Sequence, residues 1–152
     1  MKLRVPRALA IEHRGLRADM IAALKSGGRT AAAASALIRA VRPHFLKEEK
    51  YALRPLGALG LLARGQAPSE AGFLRAQAEQ LREYLPTMLA EHKRILAAAK
   101  RLATAARKEN KLAQVHFAAR LQLHLQTEES VLYPAALLIG YYLRLRDNLW
   151  VR

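Results

Sequence analysis

The sequence predicts an all-α protein, an antiparallel up-and-down four-helix bundle with a short C-terminal helix. No segment in the middle of the chain alternates between apolar and polar residues as a strand would, and helix-favouring Ala, Leu, Arg, Glu and Gln dominate. Four long helical segments with short connections bury their apolar stripes most simply as a bundle. The length of 152 residues fits one domain, residues 1–152, with a single core.

The first half of the chain is predicted to form two helices. The first runs from about Pro6 to Lys25 and stops at Ser26-Gly27-Gly28. The second begins near Arg29 or Thr30 and continues to about Leu62. Pro43 and Pro55 lie within it, and each is expected to kink or break the helix because proline lacks a backbone N–H.

The second half is predicted to follow the same plan. Residues 64–68 connect the halves, and Ser69 is the expected N-cap of a third helix that bends at Pro86 and reaches about Lys108. After a turn at Glu109 and Asn110, a fourth helix runs to about Tyr133. Pro134 then begins a short apolar helix, residues 135–145, which packs over the bundle end or forms a dimer interface.

The two halves share a histidine motif. HFLKEE at residues 44–49 and HLQTEE at residues 124–129 each place a glutamate four residues after a histidine. A Glu-His pair precedes each motif, and the interval between the two histidines is 31 residues in the first half and 32 in the second. Four of the five histidines follow this pattern, so the chain reads as two similar helix pairs.

The motif predicts an interior metal site. Residues four apart lie about 40° apart around a helix and about 6 Å apart along it, so each His and Glu of a motif can reach one point. If each helix of the bundle directs its histidine inward, four imidazoles and two carboxylates meet: His13, His44, Glu48, His92, His124 and Glu128. Buried carboxylates must be paired, protonated or bound to a cation, and two metal ions sharing both carboxylates and a solvent oxygen meet that need.

The donor types narrow the choice of metal. The chain has no cysteine, which excludes disulfides, thiolate sites and a thiol nucleophile. Imidazoles with bridging carboxylates favour two iron ions, with manganese or zinc as alternatives, and leave coordination positions open for a small ligand. Glu49 and Glu129 point about 140° away from Glu48 and Glu128 on an ideal helix, and they are expected at the edge of the site or in solvent.

This order of residues resembles the hemerythrin-like HHE cation-binding domain family, from about Ile11 to Pro134. The resemblance implies a diiron centre that reacts with dioxygen, nitric oxide or peroxide. It implies that His13 of the first helix and His92 of the third helix are single ligands. It also implies that His44 and His124 are the histidine ligands of the two motifs, and that Glu48 and Glu128 are the bridging carboxylates.

The chain departs from the oxygen carriers of that family at two places. The carriers usually have a further histidine where this chain has Leu96, and they tend to end in His-x4-Asp where this chain has His-x3-Glu. The chain is therefore more similar to the four-histidine, two-glutamate branch, whose members look like nitric-oxide-responsive iron-centre repair proteins or sensors. The resemblance implies a role in sensing, scavenging or iron handling.

The charge supports a different function as the alternative. A net charge of +14, spread along the whole chain, favours a basic, metal-independent module that binds nucleic acid or an acidic partner. A two-metal hydrolase is a third hypothesis, but no general base stands out. No apolar run is long enough to cross a membrane, so a soluble cytoplasmic protein is expected. The physiological ligand and the oligomeric state stay open.

Residues beside the six have competing interpretations. The alternative for the six themselves is chance burial, with each histidine hydrogen-bonded to a neighbour. His116 is expected to be half-buried or at the surface, with a role at the channel mouth as the alternative. Arg17 and Arg120 are expected in solvent, with a role at the entrance to the site as the alternative. Tyr51 and Tyr133 are expected to pack in the core, with a hydrogen bond near the site as the alternative. Glu12 and Glu91 either orient histidines or face solvent.

Overall fold

A computed structural model describes the backbone of residues 3–149 and the side chains of residues 3–147, and this part of the chain is all-α, as predicted. Its α-helices are α1 (Arg7–Lys25), α2 (Gly28–Lys47), α3 (Leu59–Leu62), α4 (Ala71–Lys108), α5 (Leu112–Thr127) and α6 (Tyr133–Leu149). A π turn, Glu48–Ala52, and a 3-10 helix, Pro55–Ala58, join α2 to α3. A second π turn, Glu128–Leu132, joins α5 to α6.

The helices pack as a bundle around α4. Helix α4 contacts α2, α5 and α6, while α1 contacts α2 and α5. Two clusters of buried apolar side chains result, the first between α1, α2, α5 and the second half of α4, the second between the first half of α4, α6 and the segment after α2. Phe45 and Ile95 belong to the first cluster, and Met88 and Tyr133 to the second. The polar motif residues lie between the two clusters.

Both HxxxEE motifs end in a π turn, which the sequence analysis did not predict. The backbone N–H of Leu53 bonds to the carbonyl of Glu48, and that of Tyr133 bonds to the carbonyl of Glu128, five residues back in each case. A proline follows each of these residues closely, and its ring would clash with the carbonyl four residues earlier in a regular α-helix. The wider turn accommodates the proline and changes which residues share a face with the glutamate.

Several predicted boundaries need correction. The residue preceding α4 is Glu70, so Ser69 is not its N-cap. Helix α2 runs through Pro43 and α4 through Pro86 without a break, whereas the segment around Pro55 does break into short pieces. The C-terminal helix spans Tyr133–Leu149 and packs along α4, so it is longer than the predicted residues 135–145.

Helix α6 approaches α4 closely at one glycine. A Cβ atom added to Gly140 would lie 2.4 Å from the Cβ of Ala78, a distance that real side chains do not tolerate. The small residues at this crossing let Ile139 and Leu143 bury their side chains in the second apolar cluster. This contact explains why the C-terminal segment lies alongside α4.

None of the helices within residues 3–149 combines the length and the apolar character needed to cross a membrane.

Glu109, in the turn between α4 and α5, caps the N-terminus of α2. Its carboxylate accepts hydrogen bonds from the backbone N–H of Arg29 (2.7 Å) and Thr30 (3.1 Å) and from the Thr30 hydroxyl (2.6 Å). Lys111 Nζ donates to the same carboxylate at 2.8 Å. Gly28 has a φ of 64°, and a Cβ there would lie 2.5 Å from Glu109 Oε1, so glycine makes room for the cap.

We expect Glu109→Gln to lower the free energy of unfolding near neutral pH. The hydrogen bonds from Lys111, Thr30 and Arg29 hold the Glu109 pKa at about 2, below its usual 4.5. A depressed pKa contributes stability above pH 4.5 that is lost as the pH falls towards 2, so the wild-type advantage should fade over that window. Urea unfolding at several pH values measures it, with Glu83→Gln, an exposed carboxylate on α4, as the control. If the difference in the free energy of unfolding between wild type and Glu109→Gln stayed the same down to pH 2, the ionised Glu109 carboxylate would not be what stabilises the N-terminus of α2.

Candidate metal centre

The six predicted residues come together in the interior. These residues are each no more than 2% exposed, and their side chains approach from α1, α2, α4, α5 and the two π turns: His13, His44, Glu48, His92, His124 and Glu128. They form two groups of four that both contain Glu48 and Glu128. His13 and His124 complete one group, and His44 and His92 complete the other. Within each group, the four possible ligand atoms all lie within 4.8 Å of one another, so each group can hold a metal ion.

The two shared carboxylates are placed differently. Glu128 Oε1 lies 2.7 Å from His124 Nε2 and 3.7 Å from His13 Nε2, while Glu128 Oε2 lies 3.3 Å from His92 Nε2. Glu128 therefore offers one oxygen to each group. Glu48 directs a single oxygen, Oε2, towards both groups, at 3.7 Å from His13 Nε2 and 3.6 Å from His44 Nε2.

The centre contains polar atoms that make no hydrogen bond to the described residues. They are His13 Nε2, His124 Nε2, Glu48 Oε2 and both carboxylate oxygens of Glu128, and all are buried. A buried polar atom without a partner costs free energy, and a buried carboxylate costs more. These same atoms face the two candidate positions, so cations there would satisfy all of them. The residues therefore fit a pair of metal ions.

Each of the four histidines is held by a glutamate from a neighbouring helix or turn. The second ring nitrogen, Nδ1, lies within hydrogen-bonding distance of a carboxylate at His13–Glu49 (3.0 Å), His44–Glu91 (2.9 Å), His92–Glu129 (2.8 Å) and His124–Glu12 (3.0 Å). A carboxylate only accepts hydrogen bonds, so it keeps the proton on Nδ1 and leaves the Nε2 lone pair pointing inward. In this tautomer, each of the four histidines presents Nε2 to the centre as a metal ligand.

These contacts show where the four outer glutamates lie, which are Glu12, Glu49, Glu91 and Glu129. Glu49 and Glu129 lie at the edge of the site, as predicted, with 36% and 46% of their side chains exposed. Glu12 and Glu91 orient histidines. Lys47 donates a hydrogen bond to Glu91, and Arg17 donates one to Glu49 at 2.7 Å, so basic side chains in turn hold two of the four carboxylates.

His44 and His92 meet at the second candidate position. Their Nε2 atoms lie 2.9 Å apart, and with both Nδ1 protons directed outward, two lone pairs face each other. Burial lowers the pKa of His44, and the neighbouring His92 lowers it further. A cation between the two nitrogens would remove this repulsion without requiring a buried imidazolium.

A proton competes with a metal ion at Glu48. Burial, reinforced by the adjacent charge of Glu128, raises the pKa of Glu48 well above its usual value. A cation that binds at Glu48 displaces a proton more readily as the pH rises, so the raised pKa favours metal binding at higher pH.

Tyr133 is part of the site, whereas the sequence favoured a packing role. Its hydroxyl donates a hydrogen bond to Glu48 Oε1 and lies 3.1 Å from His92 Nε2. Burial, followed by the charges of Glu48 and Glu128, raises the pKa of Tyr133, so the hydroxyl keeps its proton. Tyr51 does pack, with its ring stacked on Tyr84 at a centroid distance of 5.6 Å.

The two halves of the site are not equivalent around Tyr133. Tyr133 follows Glu128 by five residues, and the corresponding position after Glu48 is Leu53, which is 1% exposed and apolar. The hydroxyl therefore lies beside the His44–His92 position only, and it holds the Glu48 oxygen that does not face either position.

We expect Tyr133→Phe to destabilise the metal-free protein by about 1–2 kcal/mol, because the buried Glu48 oxygen would lose its hydrogen-bond donor. Denaturant unfolding measures the change. Tyr51→Phe is the matched control, since Tyr51 is also buried but makes no hydrogen bond among the described side chains, and loss of its hydroxyl should cost less than about 0.5 kcal/mol. Equal effects of the two substitutions would show that the Tyr133 hydroxyl does not support Glu48.

The remaining candidates lie outside the centre. Arg120 pairs with Asp19, away from the six residues, and His116 is exposed on α5. Arg17 does lie beside the site, through its hydrogen bond to Glu49. The prediction that His116 lies at the surface is confirmed.

Comparisons with known proteins give no further indication of what the site binds. Comparison of the chain with protein-family models, with curated proteins and with solved structures gives no match. The donor atoms themselves therefore indicate what the site can hold. Imidazole nitrogens and carboxylate oxygens, with no thiolate, could bind a metal ion.

Proposed function

We propose that this chain is a diiron protein similar to the hemerythrin-like HHE domains, and that its metal centre binds or reacts with a small oxidant. The observation that carries the proposal is the pair of four-residue groups that share the same two buried carboxylates. A set of histidines buried by chance would not divide into two groups with common bridges, nor would each histidine have a glutamate on its outer nitrogen.

The six residues have distinct roles in this proposal. His13 and His124 would hold one iron ion, and His44 and His92 would hold the other. Glu128 through its two oxygens, and Glu48 through Oε2, would contribute to both positions. The bound iron pair supplies redox chemistry towards dioxygen, nitric oxide or peroxide, for use in sensing, scavenging or iron handling.

Other residues of the chain prepare the centre. The outer glutamates fix the histidine tautomers, and the apolar clusters on either side exclude water from the interior. Phe45 stacks on the ring of His13 with centroids 4.2 Å apart and restricts its orientation. Tyr133 holds a proton at Glu48 Oε1, next to the His44–His92 position. Its hydroxyl is therefore a proton donor beside that position.

An antiparallel up-and-down order of α1, α2, α4 and α5 completes the proposal. The connection between α1 and α2 is only Ser26 and Gly27, and that between α4 and α5 spans residues 109–111. Both pairs of consecutive helices are also in contact. Connections this short favour antiparallel neighbours.

Metal analysis of protein purified in air tests the proposal. We expect about two irons per chain and near-ultraviolet charge-transfer absorption from an oxo-bridged ferric pair. Reconstitution of metal-free protein with ferrous iron under nitrogen, followed by exposure to air, should restore both. A folded protein that retains no iron, manganese or zinc after purification and after reconstitution would overturn the proposal.

A further inference from the structure

A cavity of about 590 Å³ opens beside the candidate metal centre. It lies between the N-terminal segment, α1 and the residues that follow α2, and its wall includes His13 and Glu49. Small-molecule sites in proteins typically measure about 300–1,000 Å³. The cavity is far larger than a diatomic gas or a peroxide requires.

The lining of the cavity is strongly basic. It contains the guanidinium groups of Arg4, Arg14, Arg17 and Arg54 and one carboxylate, Glu49, a net charge of +3. Glu49 is already bound by Arg17 at 2.7 Å and by His13 at 3.0 Å. None of the ion pairs within residues 3–147 involves the other three arginines. Like charges gathered around one cavity repel each other, and a bound anion would offset that repulsion.

Two of the arginines are held in place by aromatic rings. The Arg17 guanidinium lies 5.5 Å from the centre of the Phe45 ring, and the Arg54 guanidinium lies 5.7 Å from that of Phe73. Such contacts restrict a flexible side chain and reduce the entropy lost when it binds a ligand. Both guanidinium groups are therefore restricted by an aromatic ring beside the cavity.

The N-terminal segment forms a fixed wall of the cavity. The backbone N–H of Leu3 donates to Glu70 Oε2 at 2.7 Å, and the carbonyl of Arg4 lies directly against Gly57. A Cβ atom at Gly57 would be 2.3 Å from that carbonyl oxygen, so the segment can occupy this position only because residue 57 is glycine. The wall thus depends on a contact that a single methyl group would remove.

We propose that this cavity binds a small organic dianion through carboxylate or phosphate groups, with Arg14, Arg17 and Arg54 as its ligands. Guanidinium groups pair with both kinds of oxyanion through two parallel hydrogen bonds. Two negative charges offset more of the net charge of +3 of the lining than a single negative charge would. The ligand lies beside His13 and is distinct from the small oxidant, and its binding does not require the metal ions.

Calorimetric titration at constant ionic strength tests the proposal on metal-free and iron-loaded protein. The probes are succinate, glycerol 3-phosphate and, as the neutral analogue of succinate, succinamide. We expect succinate or glycerol 3-phosphate to bind and succinamide not to bind, and the tighter of the two dianions identifies the preferred oxyanion. The absence of binding by both dianions to folded wild-type protein would overturn the proposal, whatever its iron content.

Two matched pairs of variants locate the site. Arg14→Gln combined with Arg54→Gln should weaken binding about 100-fold, because two charge-assisted contacts are lost. Arg39→Gln combined with Arg101→Gln removes the same charge from exposed positions on α2 and α4 and should change the affinity less than about threefold. If both pairs of substitutions weakened binding equally, binding would depend on the overall charge of the chain and not on the cavity. That result would overturn the proposal.

The second matched pair of variants tests whether the N-terminal segment is needed as a wall of the cavity. Gly57→Ala should displace the N-terminal segment and weaken dianion binding, whereas Gly60→Ala, whose Cβ would meet only Arg64 Nη1 at 3.7 Å, should not. Iron content measured on every variant separates this proposal from the diiron centre. In the wild-type protein, two irons without dianion binding would contradict the cavity alone, and dianion binding without iron would contradict the metal centre alone.

Discussion

Replacement of Glu128 by alanine is expected to remove both metal ions, whereas replacement of His13 is expected to remove one. Glu128 offers a separate oxygen to each candidate position, so its loss takes a ligand from both ions and removes a bridge between them. His13 belongs to one group only, and the His44–His92 position keeps all its donors without it. The iron content should fall from about two per chain to about one in His13→Ala and to nearly zero in Glu128→Ala.

The fifth histidine provides the control for this experiment. His116→Ala removes an exposed imidazole on α5, outside both groups, and should leave about two irons per chain. Circular dichroism on each variant should establish that the helical fold is retained. If folded Glu128→Ala still bound two irons, Glu128 would not be a bridge. If His116→Ala lost iron, the metal would be bound elsewhere.

The sequence predicted the six central residues because their relation is local and repeated. His44 with Glu48, and His124 with Glu128, follow from helical spacing alone, and the matched intervals to His13 and His92 suggested that all six meet. The helix ends at Lys25 and Lys108 were also predictable, because glycine and turn residues follow them. The structure brings these residues together, and their binding of metal remains a prediction.

The sequence favoured packing over hydrogen bonding for Tyr133 because the position of this residue depends on an irregular turn. In a regular α-helix, a residue five positions after Glu128 points about 140° away from it. The π turn bonds the N–H of Tyr133 to the carbonyl of Glu128, which brings both side chains to the interior. A proline directly after an aromatic residue, as in Tyr133-Pro134, was the available signal, but helical periodicity alone does not predict where the helix widens.

The outer glutamates could not be paired with histidines from the sequence, because the pairing crosses between neighbouring elements. Glu12 of α1 contacts His124 of α5, while Glu91 of α4 contacts His44 of α2. Glu49 and Glu129, on the π turns, complete the set with His13 and His92. The four contacts form a closed ring around the bundle, so each long helix both carries a histidine and depends on a carboxylate from the next segment. Such a ring becomes visible only when the helices are packed.

Addition of ferrous iron to the metal-free protein is expected to raise its melting temperature by roughly 6–16 °C. A ligand at 100 to 1,000 times its dissociation constant stabilises the folded state by about 3–4 kcal/mol, and in a chain of this size each kcal/mol corresponds to about 2–4 °C. The effect should be large because ions at the two positions would satisfy five buried polar atoms at once. Differential scanning calorimetry with and without iron under nitrogen measures it.

Glu48→Gln separates the metal contribution from the packing of the site. Burial raises the pKa of the Glu48 carboxyl above 4.5, so the folded metal-free protein holds a proton that the unfolded chain loses, and wild-type stability should decline as the pH rises above that value. The variant lacks this decline, because its amide is neutral at every pH while its oxygen still accepts the Tyr133 hydrogen bond. Near pH 7 the metal-free variant should therefore be at least as stable as wild type, yet show little response to iron. A variant that unfolds readily without metal would mean that Glu48 is ionised and paired in the interior, and a full response to iron would remove Glu48 from the set of ligands.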